Sequence, residues 1–443
     1  MLVIKGGYLI DPNSKTEGVR DIYVRDGIIT KIAEPSEDVQ DSVSGTTNEN
    51  LRAVLETGDE GECRIIDATG KVVAPGLVDG HVHFRDPGFT YKEDIETGAK
   101  AAARGGFTTV VMMGNTQPHM DNSATILDVC KRGAATGIRV FACGNVTRDM
   151  AGQELVDMDE LIAAGAVLFT DDGKPITDEK LMERACVEAA KRNRVISLHE
   201  EDPKYITDNG INAGEVAKKL GIVGSPRDAE ISMVKRDIEI ARSTGAEIVV
   251  QHISATQSVN LIREARKEGV KVHAEATPHH FTLTQDAVLK FGSLAKMNPP
   301  LRLESDRMAI IEGLKDGTID MIATDHAPHS RDEKKKELRL APSGITGLET
   351  SLALGIRELV KPGRLSLMEL IERMTIGPAS VYGLDAGCIK EGGNADFVVF
   401  DPDEEWDFVA SVSKSSNTPF LGQRMPGKIA YTICAGNVVY KKL

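Results

Sequence analysis

Two imidazoles spaced by two residues, His81 and His83, sit in the run GLVDGHVHFRDPG (76–88), with Asp79 before them and Arg85 after. In a strand that keeps its pleat, all four side chains point to one face. Two neutral imidazoles on such a face can hold one divalent ion, and an arginine at the rim can fork onto a carboxylate. An HxH pair alone is weak, because a single histidine is more often a hydrogen-bonded structural residue. Here, however, four of the ten histidines (His81, His83, His199 and His252) and two aspartates (Asp172 and Asp325) fall at the ends of five predicted strands. A purely structural account must treat that as coincidence. Imidazole and carboxylate donors without thiolate suit zinc best, with manganese, cobalt or iron as other occupants. Six donors are too many for one tetrahedral zinc and suit a pair of ions about 3.5–4 Å apart, bridged by Asp172 or a hydroxide. Such a pair lowers the pKa of bound water and polarises a carbonyl, which is what hydrolysis of an unactivated amide requires.

The elements that must carry these residues are legible from about residue 71 onward. Short apolar runs end near GLVDGHVHF, TTVVMMGN, RVFACGN, AVLFTDD, VISLHEE, IVVQHIS, KVHAEATP and DMIATDHAP, eight in all. Helix-like segments such as DIETGAKAAARGG, MERACVEAAKR and VNLIREARKEG follow several of them, with apolar residues at helical spacing and glycines or charges to stop them. Eight β–α units in this span predict an α/β fold, a (β/α)8 TIM-type barrel, ahead of a doubly wound open sheet, for which the first strand lacks the GxGxxG turn. In a barrel the C-terminal strand ends share one mouth, so His81, His83, Asn115, Asp172, His199, His252 and Asp325 would converge there.

Residues 1–33 alternate apolar and polar positions, with Gly6-Gly7 and Asp26-Gly27 as turn signals, and the same texture returns in ADFVVFDPDEEWDF and IAYTICAGNVVYKKL. The two ends are expected to complete one sheet, giving a small β-sandwich domain from 1–70 plus 380–443 beside a hydrolase barrel over 71–379. Between them, residues 34–62 hold nine acids against the single base Arg52 and read as a solvated surface insertion, in which LRAVLE could form a helical turn.

Composition narrows the class further. At 443 residues, 41% hydrophobic and 27% charged, the chain suits a compact globular protein with a substantial core. A net charge of −14 argues against phosphate-backbone or anionic-lipid binding. No run is long and apolar enough for a membrane span, and the start lacks signal-peptide features, so a cytoplasmic location is expected. Six scattered cysteines without a CxxC pair suggest neither a disulfide framework nor a thiolate zinc site.

Taken together, GLVDGHVHFRDPG, VMMGNTQP (111–118), FTDDGKP (169–175), SLHEE (197–201), VVQHISA (249–255), KMNPPLR (296–302), ATDHAPH (323–329) and PSGITGLET (342–350) resemble the dihydroorotase family of the amidohydrolase superfamily, from about residue 1 to the C-terminus. HxH opening a barrel and Asp closing it mark the superfamily; HFRDPG, the Asn-Thr after strand two and ITGLET mark the dihydroorotase and allantoinase branch. The resemblance implies that His81 and His83 bind one zinc, that His199 and His252 bind a second, and that Asp172 bridges them, as in the bacterial class I type. Asp325 would contact the first ion and shuttle protons. Relatives such as hydantoinases place a carbamylated lysine at the bridging position; here that position is Asp172, and Lys174 is the lesser candidate. Arg85, Asn115 and His329 match positions that grip the substrate's carboxylate, and Asn298 with the backbone near Ser343-Gly344 matches contacts to the ring amides. His119, His273, His279, His280 and His326 carry no expected ligand role. The charged run SRDEKKKELR (330–339) reads as a solvated loop that could order over substrate as a lid. Gly114 stands where relatives usually have proline.

The implied activity is reversible cyclisation of N-carbamoyl-L-aspartate to L-dihydroorotate in pyrimidine biosynthesis, with allantoinase as the enzymatic rival. From a different class, a non-catalytic dihydroorotase-like scaffold for aspartate carbamoyltransferase would have lost ligands, whereas all six are present. A homodimer is the expectation from symmetry statistics, with aspartate carbamoyltransferase as a further candidate partner.

Overall fold

A computed structural model describes residues 1–35 and 63–442, so the acidic insertion and its LRAVLE segment fall almost wholly outside the described residues. The chain opens with β1 (Leu2–Asp11), β2 (Thr16–Arg25), β3 (Ile28–Ala33), β4 (Arg64–Asp67) and β5 (Val72–Pro75). It then runs through the barrel strands β6 (Leu77–Val82), β7 (Phe107–Met112), β8 (Arg139–Gly144), β9 (Ala166–Phe169), β10 (Ile196–Leu198), β11 (Ile248–Val250), β12 (Val272–Ala276) and β13 (Met321–Ile322). It ends with β14 (Phe397–Asp401), the short pair β15 (Trp406–Asp407) and β16 (Arg424–Met425), then β17 (Lys428–Cys434) and β18 (Asn437–Lys441).

Strands β6 to β13 pair in sequence order, and all these pairings are parallel. Each of the eight apolar runs seen in the sequence has become one of them. The seam is closed beyond β13 by a parallel bridge between Val82 and His326 and by the His83 N–H, which donates to the His326 carbonyl at 2.8 Å. Asp79 reinforces the seam: its buried carboxylate accepts from the His81 N–H at 3.0 Å and from the Thr324 hydroxyl at 2.6 Å. Such runs read as continuous rather than alternating hydrophobics because helices cover one face of the sheet and the barrel core the other. Phe107, Val110, Leu168, Phe169 and Ile248 are fully buried, each contributing about 1.5–3 kcal/mol relative to exposure.

The helices follow their sequence signals. Ile95–Arg104 starts at Asp94, whose side chain accepts from the Thr97 N–H while the Thr97 hydroxyl oxygen accepts from the Asp94 N–H, and it ends at Gly105. Glu179–Lys191 and Thr256–Lys267 likewise cover the other two segments read as helices. Among the described residues no helix is long and apolar enough to cross a membrane, and all six cysteines are free, Cys143, Cys186 and Cys434 being buried.

The two ends of the chain meet in one eight-stranded sheet, ordered β18-β17-β14-β5-β1-β2-β3, with β4 pairing alongside β1. It carries its own core, including Ile4, Ile22, Phe397 and Ile433, separate from that of the barrel. The stretch 402–427, between β14 and β17, leaves this sheet, and Asn417 within it reaches the barrel mouth.

Candidate metal centre

The expected convergence is present. His81 lies on β6 and His83 just beyond it; Asp172 follows β9, His199 follows β10, His252 follows β11 and Asp325 follows β13. All six are buried. His83 Nε2 lies 3.1 Å from Asp325 Oδ1 and 3.3 Å from Asp172 Oδ2. His81 Nε2 lies 3.5 Å from Asp172 Oδ1 and 3.6 Å from Asp325 Oδ1. On the other side His199 Nδ1 is 3.0 Å from His252 Nε2, and the two nitrogens are 3.5 and 3.8 Å from Asp172 Oδ1. Asp172 thus stands between both pairs of imidazoles, where the sequence reading put a bridge. Lys174 is exposed.

Hydrogen bonds around the cluster state which nitrogens are free to ligate. His81 Nδ1–H donates to Glu275 Oε2 at 3.1 Å, His83 Nδ1–H to Asn115 Oδ1 at 3.0 Å, and His199 Nε2–H to Glu201 Oε2 at 3.1 Å. Each ring therefore turns a lone pair toward carboxylate oxygens or another imidazole. His81 Nε2 is buried with no hydrogen-bond partner. Lone pairs facing lone pairs at these distances repel unless positive charge lies between them. Donors about 2.0–2.1 Å from one tetrahedral ion lie about 3.3 Å from each other, which is the spacing seen here. The residues therefore fit a divalent metal, and two groups, His81/His83/Asp325 and His81/Asp172/His252, each bring their donor atoms within 4.8 Å of one another.

Electrostatics point the same way. Burial would raise the Asp172 carboxyl, but the charge of His81 and the nearby imidazoles of His199 and His252 hold it well below the usual range. Burial likewise opposes Asp325, yet His83 and His81 hold it well below. Conversely, burial would lower His199, and Asp172 with Glu201 overcomes it, pushing the imidazole up to about 10. The carboxylates require positive charge at this centre, which a metal ion supplies while leaving the imidazoles neutral.

The backbone is bent to bring these groups together. His252, Asp325 and Arg85 have φ of 33°, 46° and 60°, a region that non-glycine residues adopt at a cost of about 1–3 kcal/mol and that concentrates at functional sites. For Arg85 this corrects the pleat argument, because the strand ends at Val82 and Arg85 is aimed by a turn. Asp79 lies within the strand, and its carboxylate serves the seam.

The expected substrate contacts line the same mouth. Arg85 Nε donates to the Pro328 carbonyl at 3.3 Å, and Asp325, Asp172 and Glu333 act on the guanidinium only as charges at longer range. Asn115 Nδ2 is 3.5 Å from Asp172 Oδ2. Asn298 Nδ2 lies 3.4 Å from His199 Nε2, and its Oδ1 is buried without a partner. Burial, then the charge of Arg85, pulls the His329 imidazole down to about 2, so it is neutral. Ser343 Oγ donates to Asn209 Oδ1 at 3.2 Å. Both polar groups of Gly344 are engaged inside the loop: its N–H donates to the Lys296 carbonyl at 3.0 Å, and its carbonyl accepts from Asn417 and Lys334.

Several supporting residues escaped the sequence reading. Asn417 stitches three loops together, donating to the carbonyls of Ala327 and Gly344 and accepting from the His329 N–H, each at 3.0 Å. His280 Nε2 donates to the Pro299 carbonyl at 3.0 Å and so holds the segment carrying Asn298. Lys296 Nζ donates to three carbonyls, of Leu338, Arg339 and Ala341, at 2.8–3.0 Å, fixing the run read as a solvated loop. Gly114 is explained by packing, since a Cβ there would meet Asn145 Nδ2 at 2.7 Å. His273 lies between Glu247 and Asp320, outside the histidine and aspartate cluster. A signal existed for Glu275 and Glu201: a glutamate in the apolar run of a barrel strand, or two residues after a histidine at a strand end, needs a partner if it is buried, and both are.

Comparison with known proteins agrees with this geometry. The model of the amidohydrolase family matches residues 72–439. The dihydroorotase of Clostridioides difficile strain 630 is 51% identical over 440 residues, covering 99% of this chain and 100% of that protein. Those of Clostridium acetobutylicum and Lactococcus lactis subsp. lactis are each 46% identical, covering 100% of both chains in the first case and 99% of both in the second. Among solved structures, an L-hydantoinase (dihydropyrimidinase) from Arthrobacter aurescens superimposes with a TM-score of 0.84 at 26% identity, covering 100% of this chain and 96% of that one. A D-hydantoinase from Thermus sp. shares the fold at 24% identity, with a TM-score of 0.78 over 99% and 95% of the two chains. The chain belongs to the amidohydrolase family and, within it, to the dihydroorotases.

Proposed function

We propose that the protein is a metal-dependent dihydroorotase that interconverts L-dihydroorotate and N-carbamoyl-L-aspartate. The observation that carries this reading is the meeting, at one barrel mouth, of a six-residue histidine and aspartate cluster with Arg85, whose guanidinium no carboxylate among the described residues bonds. A small anionic ureide needs such a cation inside an otherwise acidic protein.

His81, His83 and Asp325 would hold one ion and His199 and His252 a second, with Asp172 between them; zinc suits this donor set. Bound there, the metal activates water and polarises the ring carbonyl. Arg85 takes the substrate carboxylate in a two-pronged contact, with Asn115 and His329 beside it as neutral donors. Asn298 Oδ1 accepts from a ring N–H. Asp325, held ionised, accepts the proton of the attacking water and delivers it to the ring nitrogen that leaves. In the direction of synthesis the same carboxylate removes the proton from the ureido nitrogen as it closes on the side-chain carboxyl and passes it to the carboxyl oxygen, which leaves as water. A homodimer follows from symmetry statistics.

A substrate panel tests the reading. Hydrolysis should be selective for dihydroorotate over allantoin, hydantoin and dihydrouracil, which lack the carboxylate. Equal or better turnover of allantoin would replace it with the allantoinase reading, and no turnover of any cyclic ureide by the zinc-loaded protein would favour a scaffold.

A further inference from the structure

The reaction outlined above leaves unexplained why a tyrosine from the far end of the barrel reaches the base of the metal centre. Tyr382 closes the helix Ile376–Tyr382 and is buried. Its hydroxyl donates to Glu275 Oε1 at 2.7 Å, and the other oxygen of that carboxylate, Oε2, accepts from His81 Nδ1–H at 3.1 Å. Glu275 and His81 are both fully buried. The tyrosine can reach this position because residue 80 has no side chain: a Cβ on Gly80 would sit 2.2 Å from Tyr382 Cε2 and 3.0 Å from Cδ2. The Asp79-Gly80-His81 run thus combines a seam carboxylate, a gap that admits an aromatic ring, and the imidazole which that ring serves.

A carboxylate bonded at one oxygen only can swing about its last torsion, whereas one bonded at both oxygens by groups from different elements is held in plane. Its grip on Nδ1–H then fixes the His81 tautomer and ring tilt, and leaves the Nε2 lone pair, which has no hydrogen-bond partner of its own, toward Asp172 and Asp325. We infer that Tyr382, admitted by Gly80, is a positioning residue that acts through Glu275 on His81 and thereby sets the affinity of the metal centre. This rests on the reading of His81 as a metal ligand. Losing such a partner of a ligating histidine costs about 10–100-fold in metal affinity.

The test is zinc affinity, by competition with a chromophoric chelator, for the wild type, Tyr382→Phe, Glu275→Gln and the double variant, with dihydroorotate kinetics at limiting and saturating zinc. Tyr382→Phe removes one oxygen and keeps the ring packed on Gly80, so the fold is retained. Zinc should bind about tenfold more weakly to Tyr382→Phe and more weakly still to Glu275→Gln. The double variant should be no worse than Glu275→Gln, because the tyrosine acts only through the glutamate. For Tyr382→Phe, saturating zinc should restore kcat with KM unchanged, a rescue that a merely structural role would not give. Wild-type zinc affinity in Tyr382→Phe, additive losses in the double variant, or a kcat that zinc does not restore would each overturn the inference. A wild type that binds no zinc would remove the metal reading beneath it and the inference with it.

Discussion

Replacing Arg85 with alanine is expected to separate substrate recognition from chemistry. Among the described residues the guanidinium donates once, to the Pro328 carbonyl, and no carboxylate bonds to it, so its charge is available to an incoming carboxylate. Two charge-assisted hydrogen bonds at about 1.5–3 kcal/mol each, less the cost of desolvating both ions, leave roughly 3 kcal/mol of binding. At about 1.4 kcal/mol per factor of ten, that is a fall in kcat/KM for dihydroorotate of roughly a hundredfold, borne mainly by KM. Arg85→Lys keeps the charge but loses the planar fork, and should fall between variant and wild type. The control is dihydrouracil, the same ring without the carboxylate: its slow hydrolysis should be indifferent to the change. Steady-state kinetics on both substrates, with zinc content checked in each preparation, gives the comparison. A loss below about fivefold on dihydroorotate, or an equal loss on both substrates, would refute the assignment, since an equal loss means the arginine shapes the mouth and does not read the carboxylate.

Other expectations can be checked individually. Asp325→Asn should lower turnover by about 10²–10⁴-fold with circular dichroism unchanged, and near-wild-type activity would remove the proton-carrier role. Asn417→Ala leaves the His329 N–H and the Ala327 and Gly344 carbonyls without that partner, so KM should rise about tenfold while zinc content holds; an unchanged KM would mean the three loops keep their shape without it. Burial would lower the pKa of His273, but Asp320 and Glu247 raise it above its ordinary value. A group raised on folding stabilises fully below its unfolded pKa of about 6.5, and that contribution disappears as pH climbs through the folded value. The Tm gap between wild type and His273→Gln should therefore be wider near pH 6 than near pH 9; a gap independent of pH would show that the two carboxylates do not protonate it.

The barrel was legible because parallel strands buried on both faces leave unbroken apolar runs, and because the polar residues that interrupt them fall at strand ends. Spacing by two brought His81 and His83 to one cluster but does not aim Arg85, since a pleat argument assumes a strand that continues, and here it ends at Val82. The clustered histidines and aspartates were readable as a group of residue types; the Asp172 position between both imidazole pairs needed the geometry. What the sequence could not show were contacts made only when the barrel closes and the C-terminal segment returns. Asn417 lies 73 residues from Gly344 and 90 from Ala327 along the chain, and Tyr382 lies 107 from Glu275. No local pattern encodes such pairs. The run 330–339 reads as solvated by charge count, although Lys334 is buried against the carbonyls of Pro342 and Gly344, with burial and the charge of Lys296 pulling it down to about 7.

The central claim is that this cluster of histidines and aspartates binds metal for the hydrolysis of dihydroorotate. The most direct test strips metal by dialysis against a chelator, then adds zinc stepwise while dihydroorotate turnover and bound zinc are measured on the same sample. Turnover should vanish on stripping and return in step with zinc, reaching its plateau at about two ions per chain. Turnover that survives complete removal of metal would contradict the account.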